Sequence, residues 1–297
     1  MESKRSLILQ WIEQRRIDKN NTSEVLMSTS VIPNGLQWRA FIENLLMWLG
    51  GLSLAFSLMF FIAYNWEAMG RFAKFALVEA AIILCIIVYW KLGANKISAK
   101  ISITMATILL GVLLALYGQT YQTGADPWQL FANWALLILP WAVVAQFATI
   151  WFIWIALLNL SLVLYFQASN FMFGMFFGNT ENVFWVLFVF NSLVWISWEL
   201  LADRFSWLEE RWAIRLIAIA SGFSISFLML TFIFDNSSSK SMFVFFYFIW
   251  AAALYFVYRR LKYDLFMLAG LCLSGIVVIT SFFAKALFDQ HDSIGSF

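Results

Sequence analysis

The sequence predicts an all-α, polytopic membrane protein with about nine membrane-spanning helices. Hydrophobic residues make up 63% of the chain and charged residues only 12%, whereas a soluble globular protein carries about 25% charged residues. The mean hydropathy is +0.80, and the apolar runs repeatedly reach the roughly 20 residues that a helix needs to cross a bilayer. These runs are continuous and lack the alternation of apolar and polar residues that a transmembrane β-barrel requires.

Residues 1–40 are predicted to form a short cytoplasmic helical head. Leu7, Ile8, Trp11 and Ile12 fall on one face of a helix, which is amphipathic spacing. This head either lies on the membrane surface as a helical hairpin or serves as a docking platform. The polar N-terminus does not have the pattern of a cleavable signal peptide, so we expect the first span to act as its own targeting signal.

Two membrane regions are expected after the head. Residues 41–147 contain spans 1–4 and two polar motifs, and residues 148–297 contain the aromatic-rich spans 5–9. The short connection near Gln146 is either a cytoplasmic turn or part of a re-entrant hairpin. The nine apolar segments lie near residues 44–64, 72–91, 101–118, 128–145, 148–166, 183–201, 212–234, 241–258 and 264–285.

The basic residues predict the orientation of the chain. Cytoplasmic loops of membrane proteins are enriched in Lys and Arg. With nine spans and a cytoplasmic N-terminus, 15 of the 19 basic residues lie on the cytoplasmic side, and the exceptions are Arg71, Lys74, Lys240 and Lys285. We therefore expect a cytoplasmic N-terminus and a C-terminus on the opposite, periplasmic side.

The densest polar stretch between two spans is Gly118–Gln129, which reads GQTYQTGADPWQ. Asp126 followed by Pro127 is typical of a helix start, and Gln129 stands where it can complete a capping box with Asp126. Gly118 and Gly124 are expected to break the preceding helix. The remaining polar residues either satisfy backbone groups at membrane depth or bind a lipid headgroup or a glycan, and with Asp126 they make the candidate ligand-binding set Gln119, Thr120, Tyr121 and Gln122.

A second polar motif, Asn65-Trp66-Glu67, is predicted to emerge on the same side of the membrane. It resembles another helix start, with Asn65 as the cap and Glu67 in the first turn, where a negative charge is favourable. A joint outer pocket of Glu67, Asp126 and the two glutamines is one hypothesis for this side.

Ionisable residues inside predicted spans are functional candidates. Glu79 is the deepest carboxylate by sequence and is expected to pair with a polar neighbour, line a cavity or carry a proton. Glu199 stands near a helix end, where we expect its side chain to extend to the membrane surface. Three amides are expected to join helices through hydrogen bonds, namely Gln146, Asn159 and Asn191.

The sequence contains no recognisable catalytic motif. The single histidine, His291, lies in a polar tail, which argues against a histidine-based metal site or catalytic triad within the membrane. Phosphate-loop and nucleophile-elbow patterns are missing as well. We therefore expect a non-enzymatic protein without catalytic residues, metal or cofactor, and without a nucleic-acid partner.

Several short motifs together resemble a known family. A tryptophan-containing N-terminal helix is followed by Ala63-Tyr64-Asn65-Trp66-Glu67, then by Gly118-Gln119-Thr120-Tyr121-Gln122 and Ala125-Asp126-Pro127-Trp128. Over roughly the first 150 residues the chain resembles the bacterial membrane family known as domain of unknown function 2157. The resemblance implies a location in the bacterial inner membrane and implies no activity.

These observations lead to two functional hypotheses. In the first, the protein has an envelope assembly or binding role, and its periplasmic loops contact lipid headgroups, a glycan or another membrane protein. In the second, it is a transporter or flippase-like permease that uses Glu79 and the polar cluster on the outer side. A purely carboxylate-based enzyme would need two converging groups, and Glu67 with Asp126 is the pair that the sequence offers.

Overall fold

A computed structural model describes Trp11, Ile12, Gln14, Leu26 and residues 33–168, 179–234 and 241–294. Within these residues the secondary structure is entirely helical, and nine helices are long and apolar enough to cross a membrane. The predicted fold class is therefore confirmed. The nine helices are α1 Gly35–Tyr64, α2 Arg71–Leu92, α3 Ile97–Tyr121, α4 Pro127–Ala145, α5 Ala148–Ala168, α6 Asn179–Leu201, α7 Arg211–Phe234, α8 Ser241–Phe256 and α9 Leu265–Ile294.

The helix bounds agree with the predicted spans to within about four residues, except at the beginning of α1 and at the end of α9, which continues to Ile294 rather than ending near residue 285. Helix α1 begins at Gly35 rather than near residue 44, because Asn34 and Gln37 form a capping box. The Gln37 N–H donates to Asn34 Oδ1 at 2.9 Å, and the Asn34 N–H donates to Gln37 Oε1 at 3.1 Å. Most of the predicted N-terminal head, residues 1–40, lies outside the described residues, and its last six residues, from Gly35, belong to α1.

The chain forms two compact units that divide within α3, after Leu109. In the first unit, α3 contacts both preceding helices. Gly51 of α1 lies so close to Ile101 of α3 that a β-carbon at Gly51 would clash with it. Ser102 of α3 donates a hydrogen bond to the carbonyl oxygen of Cys85 in α2 at 2.9 Å. Small and hydroxyl-bearing residues therefore hold these helices together, as is common within membranes.

In the second unit, α7 is the central helix and packs against α5, α6, α8 and α9. Half of the most apolar stretch of this helix is buried, and Ile214, Ile225 and Leu228 are among its fully buried side chains. Gly222 of α7 allows the ring of Trp250 in α8 to lie directly on the α7 backbone, since an added β-carbon would be 2.9 Å from the ring.

The connection near Gln146 is a two-residue turn between two helices of membrane-spanning length. Helix α4 has 19 residues and α5 has 21. Gln146 ends α4 in the left-handed conformation, with a φ of 46°, and its side chain is exposed. The expectation that Gln146 joins helices through its amide is therefore wrong, because the residue forms the turn itself.

The expectation for the other two amides is confirmed. Asn159 of α5 donates to Asn191 Oδ1 of α6 at 3.1 Å, and Asn191 donates to Asn159 Oδ1 at 2.6 Å. Each amide also donates to a main-chain carbonyl of its own helix. Both carbonyl groups and both NH₂ groups of the pair are thus engaged, which removes much of the cost of placing two amides inside a membrane.

Candidate functional site

The polar stretch Gly118–Gln129 forms the end of α3 and the start of α4. Helix α3 continues to Tyr121, so Gly118 lies inside the helix and does not break it. The helix ends where Gln122 adopts a φ of 45°, and Gly124 follows with a φ of 64°. A left-handed residue directly after a helix is a common helix end, but glutamine is an unusual choice there because its β-carbon disfavours positive φ.

The candidate side chains of this stretch are largely on the surface. Gln119, Tyr121, Gln122 and Asp126 are exposed. The Thr120 hydroxyl is the exception, since its oxygen is buried without a hydrogen-bond partner among the described residues. Most of the candidate ligand-binding side chains are therefore accessible at the junction between α3 and α4.

The predicted capping box at Asp126 is wrong. Asp126 does precede α4, and Pro127 occupies the first helical position, but the Asp126 carboxylate makes no capping hydrogen bond. The Gln129 N–H donates instead to the main-chain carbonyl of Asp126, at 3.0 Å. The carboxylate consequently remains on the surface without that structural role.

Asn65 ends a helix rather than starting one. Its N–H and its side-chain amide both donate to the carbonyl oxygen of Phe61, at 3.1 Å and 2.8 Å, so it closes α1. Helix α2 begins later, at Arg71. Glu67 lies in the intervening turn and is exposed. Both residues belong to the first unit, whereas the Gly118–Gln129 stretch belongs to the second.

Glu79 lies on α2 with its side chain on the surface of the chain. Its neighbours one turn away on either side are Phe75, which is half-buried, and Ile83, which is exposed. The first of the three roles expected for Glu79 is pairing with a polar neighbour, and no such partner is found within the described residues. Glu79 is not among the lining residues of the cavity described below.

A network of ion pairs and hydrogen bonds lies at one end of the second unit, around Glu199. This carboxylate, at the end of α6, accepts from Arg211 Nη1 at 2.9 Å and from the Tyr258 hydroxyl at 2.7 Å. Lys262 Nζ is 3.3 Å from its other oxygen. Because Glu199 is buried by these partners, the expectation that it extends to the membrane surface is wrong.

Asp264 is the second carboxylate of the network and directly precedes α9. It is 3.0 Å from Arg211 Nη2 and 3.2 Å from Arg215 Nη2, and its Oδ1 accepts from the backbone N–H of Phe266 at 3.0 Å. Burial alone would raise the pKa of Asp264, but the hydrogen bonds and charges of the two arginines outweigh burial and hold that pKa below its ordinary value.

Lys262 closes the network on the outside. Its ammonium group lies 2.9 Å from Asp203 and donates to the main-chain carbonyl of Glu199 at 3.1 Å. Burial by itself would lower the pKa of Lys262, but the hydrogen bond to Asp203 and the charge of Glu199 raise it above its ordinary value. Lys262 is therefore charged at neutral pH.

Tyr258 is the fully buried residue that connects this network to the helix core. It lies in a π-helical segment, Val257–Leu261, that continues α8. Its hydroxyl accepts from Trp195 Nε1 at 2.6 Å while donating to Glu199. The wider turn of the segment changes the direction of the side chains that follow α8. Sequence reasoning missed this residue because nothing in the local sequence pattern predicts a π-helical turn.

A cavity of about 340 Å³ lies between α7, α8 and α9. Its lining is almost entirely apolar and begins, on α7, at Ala218 and ends at Leu230. Phe223 and Leu273 line it and are 64% and 63% exposed, so the cavity opens sideways to the surface of the unit.

Two hydroxyl groups interrupt the apolar lining. Ser226 of α7 and Ser274 of α9 lie 2.7 Å apart, and the Tyr247 hydroxyl is 3.0 Å from Ser274. Trp250 also lines the cavity, and its indole nitrogen is buried without an acceptor among the described residues. None of the lining residues carries an ionisable group.

No group of three or more His, Cys, Asp and Glu side chains that could hold a metal ion occurs among the residues that the structure describes. The carboxylates of the network described above are instead engaged by arginine, lysine and tyrosine. The arrangement therefore fastens the ends of α6, α7, α8 and α9 to each other.

Comparison with known proteins finds a similarity to one protein family over the N-terminal half of the chain. Residues 9–151 match the family described as Predicted membrane protein (DUF2157). Neither the curated proteins nor the solved structures offer a match to this chain. The cavity and the charged network lie beyond the matched residues. Over residues 9–151 the chain is therefore similar to this family, and the nine candidate spans of its described residues make it a multi-pass membrane protein.

Proposed function

We propose that this chain is a non-enzymatic binding protein of the bacterial inner membrane that takes an apolar chain into the cavity between α7, α8 and α9. The observation that carries the proposal is the cavity itself. Its volume of about 340 Å³ is within the range of small-molecule sites, roughly 300–1,000 Å³. Its apolar lining and its sideways opening suit a ligand that enters from the lipid phase.

The cavity favours binding over ion-coupled transport. A permease that uses Glu79 would require this carboxylate on a polar path, and the lining of the cavity contains neither Glu79 nor another ionisable residue. Burial of an apolar chain needs no charge, since it is driven by contact with apolar side chains.

The exposed Gly118–Gln129 stretch supports a second contact outside the bilayer. Gln119, Gln122 and Asp126 are exposed, and no hydrogen bond within the described residues occupies their side chains. We propose that this turn lies on the periplasmic side and contacts lipid headgroups, a glycan or another membrane protein. The location follows from the distribution of Lys and Arg, which favours a cytoplasmic N-terminus and a periplasmic C-terminus.

A cavity-filling variant tests the proposed function. Gly270 lines the cavity, and a β-carbon there meets no atom within 4 Å, so Gly270→Leu should fill the space without distorting α9. The purified protein would be mixed with dioleoyl phosphatidylglycerol in mild detergent, and retained lipid would be counted by native mass spectrometry. We expect one tightly held lipid in the wild type and loss of that lipid in Gly270→Leu.

Gly275→Leu is the matched control. Gly275 lies on the same helix with the same open space around its β-carbon position, but it does not line the cavity. It should retain the lipid like the wild type. Equal retention by all three proteins, or no retention by the wild type, would overturn the proposal.

A further inference from the structure

We infer that the ligand of the cavity is an anionic phospholipid, with one acyl chain in the cavity and its phosphate held by Arg215. This inference rests on the proposed function and adds the chemical class of the ligand. Four features carry it: the position of Arg215 along α7, the placement of its guanidinium, the charges around it and the length of the cavity.

Arg215 continues the cavity-lining face of α7. Residues four, seven and eleven positions along a helix lie on the same face, and from Arg215 these positions are Ile219, Gly222 and Ser226. All three line the cavity. Along α7 the cationic residue therefore comes first, and the apolar groove begins one turn later. A phospholipid has the same order, with its phosphate followed by its acyl chain.

The guanidinium of Arg215 lies next to the lining of the cavity. It stands over the ring of Phe266, with its central carbon 5.3 Å from the ring centroid, and Phe266 lines the cavity. Asp264 fixes it through hydrogen bonds from Nε and Nη2, both at 3.2 Å. Nη1 donates to none of the described residues, and the side chain is 38% exposed. A held guanidinium with free donors is well suited to a phosphate.

The charge around Arg215 favours an anion. Asp264 is its carboxylate partner, and Arg211 shares that carboxylate. The described residues at this end of the unit include six cations against five carboxylates: Arg204, Arg211, Arg215, Arg259, Arg260 and Lys262 against Glu199, Asp203, Glu209, Glu210 and Asp264. Three of these cations (Arg204, Arg259 and Arg260) and three of the carboxylates (Asp203, Glu209 and Glu210) are exposed. The other three cations, Arg211, Arg215 and Lys262, are about one-third exposed, whereas Glu199 and Asp264 are buried, so the accessible surface is the more positive part.

The length of the cavity corresponds to one leaflet. From Ala218 to Leu230 an α-helix rises about 18 Å, and the hydrocarbon core of a bilayer is about 30 Å thick. A groove of this length, starting one turn from a residue at the membrane surface, accepts one acyl chain of a lipid in the same leaflet. The volume of about 340 Å³ is at the lower end of the range for ligand sites, roughly 300–1,000 Å³.

Competition between two lipids with identical chains tests the inference. Wild type, Arg215→Gln, Arg215→Lys and Arg259→Gln would each be mixed with equal amounts of dioleoyl phosphatidylglycerol and dioleoyl phosphatidylcholine, and retained lipid would be identified by native mass spectrometry. We expect the wild type to prefer the phosphatidylglycerol by about tenfold, a preference of the size that one charged hydrogen-bonded contact provides. Arg215→Gln should reduce the preference to about equal retention.

The two other variants separate a local contact from a general surface charge. Arg259→Gln removes an exposed cation from the same end of the unit and should keep the preference, whereas Arg215→Lys should keep part of it. If Arg215→Gln does not fold, the lipid preference of Arg215→Lys is compared with that of the wild type, and a reduced preference supports a contact between Arg215 and the phosphate. Equal retention of both lipids by the wild type would overturn this inference and leave the proposed function standing. Absence of any retained lipid would overturn the proposed function.

Discussion

Arg215 and Asp264, which are 49 positions apart, form a two-bond ion pair between α7 and the start of α9. The same carboxylate also binds Arg211 and accepts a hydrogen bond from the first turn of α9. One buried carboxylate therefore joins two helices, begins one of them and fixes the arginine that we place at the phosphate of a bound lipid.

Replacing Asp264 with Asn should destabilise the protein and change its response to acid. Asparagine can still cap α9, so the loss is confined to the charge that two arginines share. Breaking a buried ion pair costs about 3–5 kcal/mol, and the partial exposure of both arginines lowers our expectation to about 2 kcal/mol. The measurement is thermal unfolding of the detergent-purified protein at neutral pH.

The pH dependence of the same variant follows from the direction of the shift. The pKa of Asp264 lies below its ordinary value in the folded protein, so its stabilising contribution is present above about pH 4 and is lost as the pH falls further. The difference in melting temperature between wild type and Asp264→Asn should therefore shrink below about pH 4. A difference that stays constant down to pH 3 would contradict this account.

Tyr258→Phe should be destabilising because it removes a hydroxyl that two buried groups share. Trp195 Nε1 would lose its acceptor and Glu199 would lose a donor. A buried polar group left without a partner costs about 1–3 kcal/mol. Tyr255→Phe is the control, since Tyr255 lies on the same helix and is 54% exposed. Unfolding in detergent should show a loss for Tyr258→Phe alone, and equal behaviour of the two variants would argue against the hydrogen-bond chain.

The Asn159 and Asn191 pair should show coupling in a double-mutant cycle. Either single change to Leu leaves the other amide without its partner, whereas the double change leaves none, so the double variant should lose less stability than the sum of the single variants. Interhelical hydrogen bonds in membranes contribute about 0.6 kcal/mol on average and up to about 1.7 kcal/mol. We expect a value near the upper end because the bonds are reciprocal. Additive losses would show that the two amides act independently.

Gln122→Gly should raise the thermal stability of the protein. Gln122 has a φ of 45°, a conformation that glycine adopts without steric cost, and the expected gain is about 0.5–1 kcal/mol. Gln119→Gly is the opposite control, because Gln119 lies within the last turn of α3, where glycine lowers stability. If Gln122→Gly were destabilising instead, the glutamine side chain would have a structural role that its exposed position does not suggest.

Much of the architecture follows from composition and from the length of the apolar runs. A span of about 20 apolar residues is a local property, and so the segments near residues 72–91 and 148–166 correspond closely to α2 and α5. The two asparagines were also predictable as helix-joining residues, since an amide within a span needs a partner. The role of Asn65 was not predictable in this way, because Asn occurs both before the first turn and after the last turn of helices, and here it closes α1 instead of starting the next helix.

Glu199 shows why the charged network escaped prediction. By itself it is a carboxylate near a helix end, and such a residue ordinarily reaches the membrane surface. Its burial depends on Arg211, Tyr258 and Lys262, which lie at the ends of two other helices. The position of Tyr258 depends in turn on a π-helical segment at the end of α8, which no sequence period encodes.

The sequence by itself determined that the chain crosses the membrane many times, where its helices lie and which turns carry polar side chains, because these properties depend on neighbouring residues. Only the tertiary structure decided that α7 is central, that a cavity opens beside it and that Arg215 stands at the end of that cavity. These features arise from the packing of α7, α8 and α9 against each other, and contacts between residues far apart in the chain leave no local pattern.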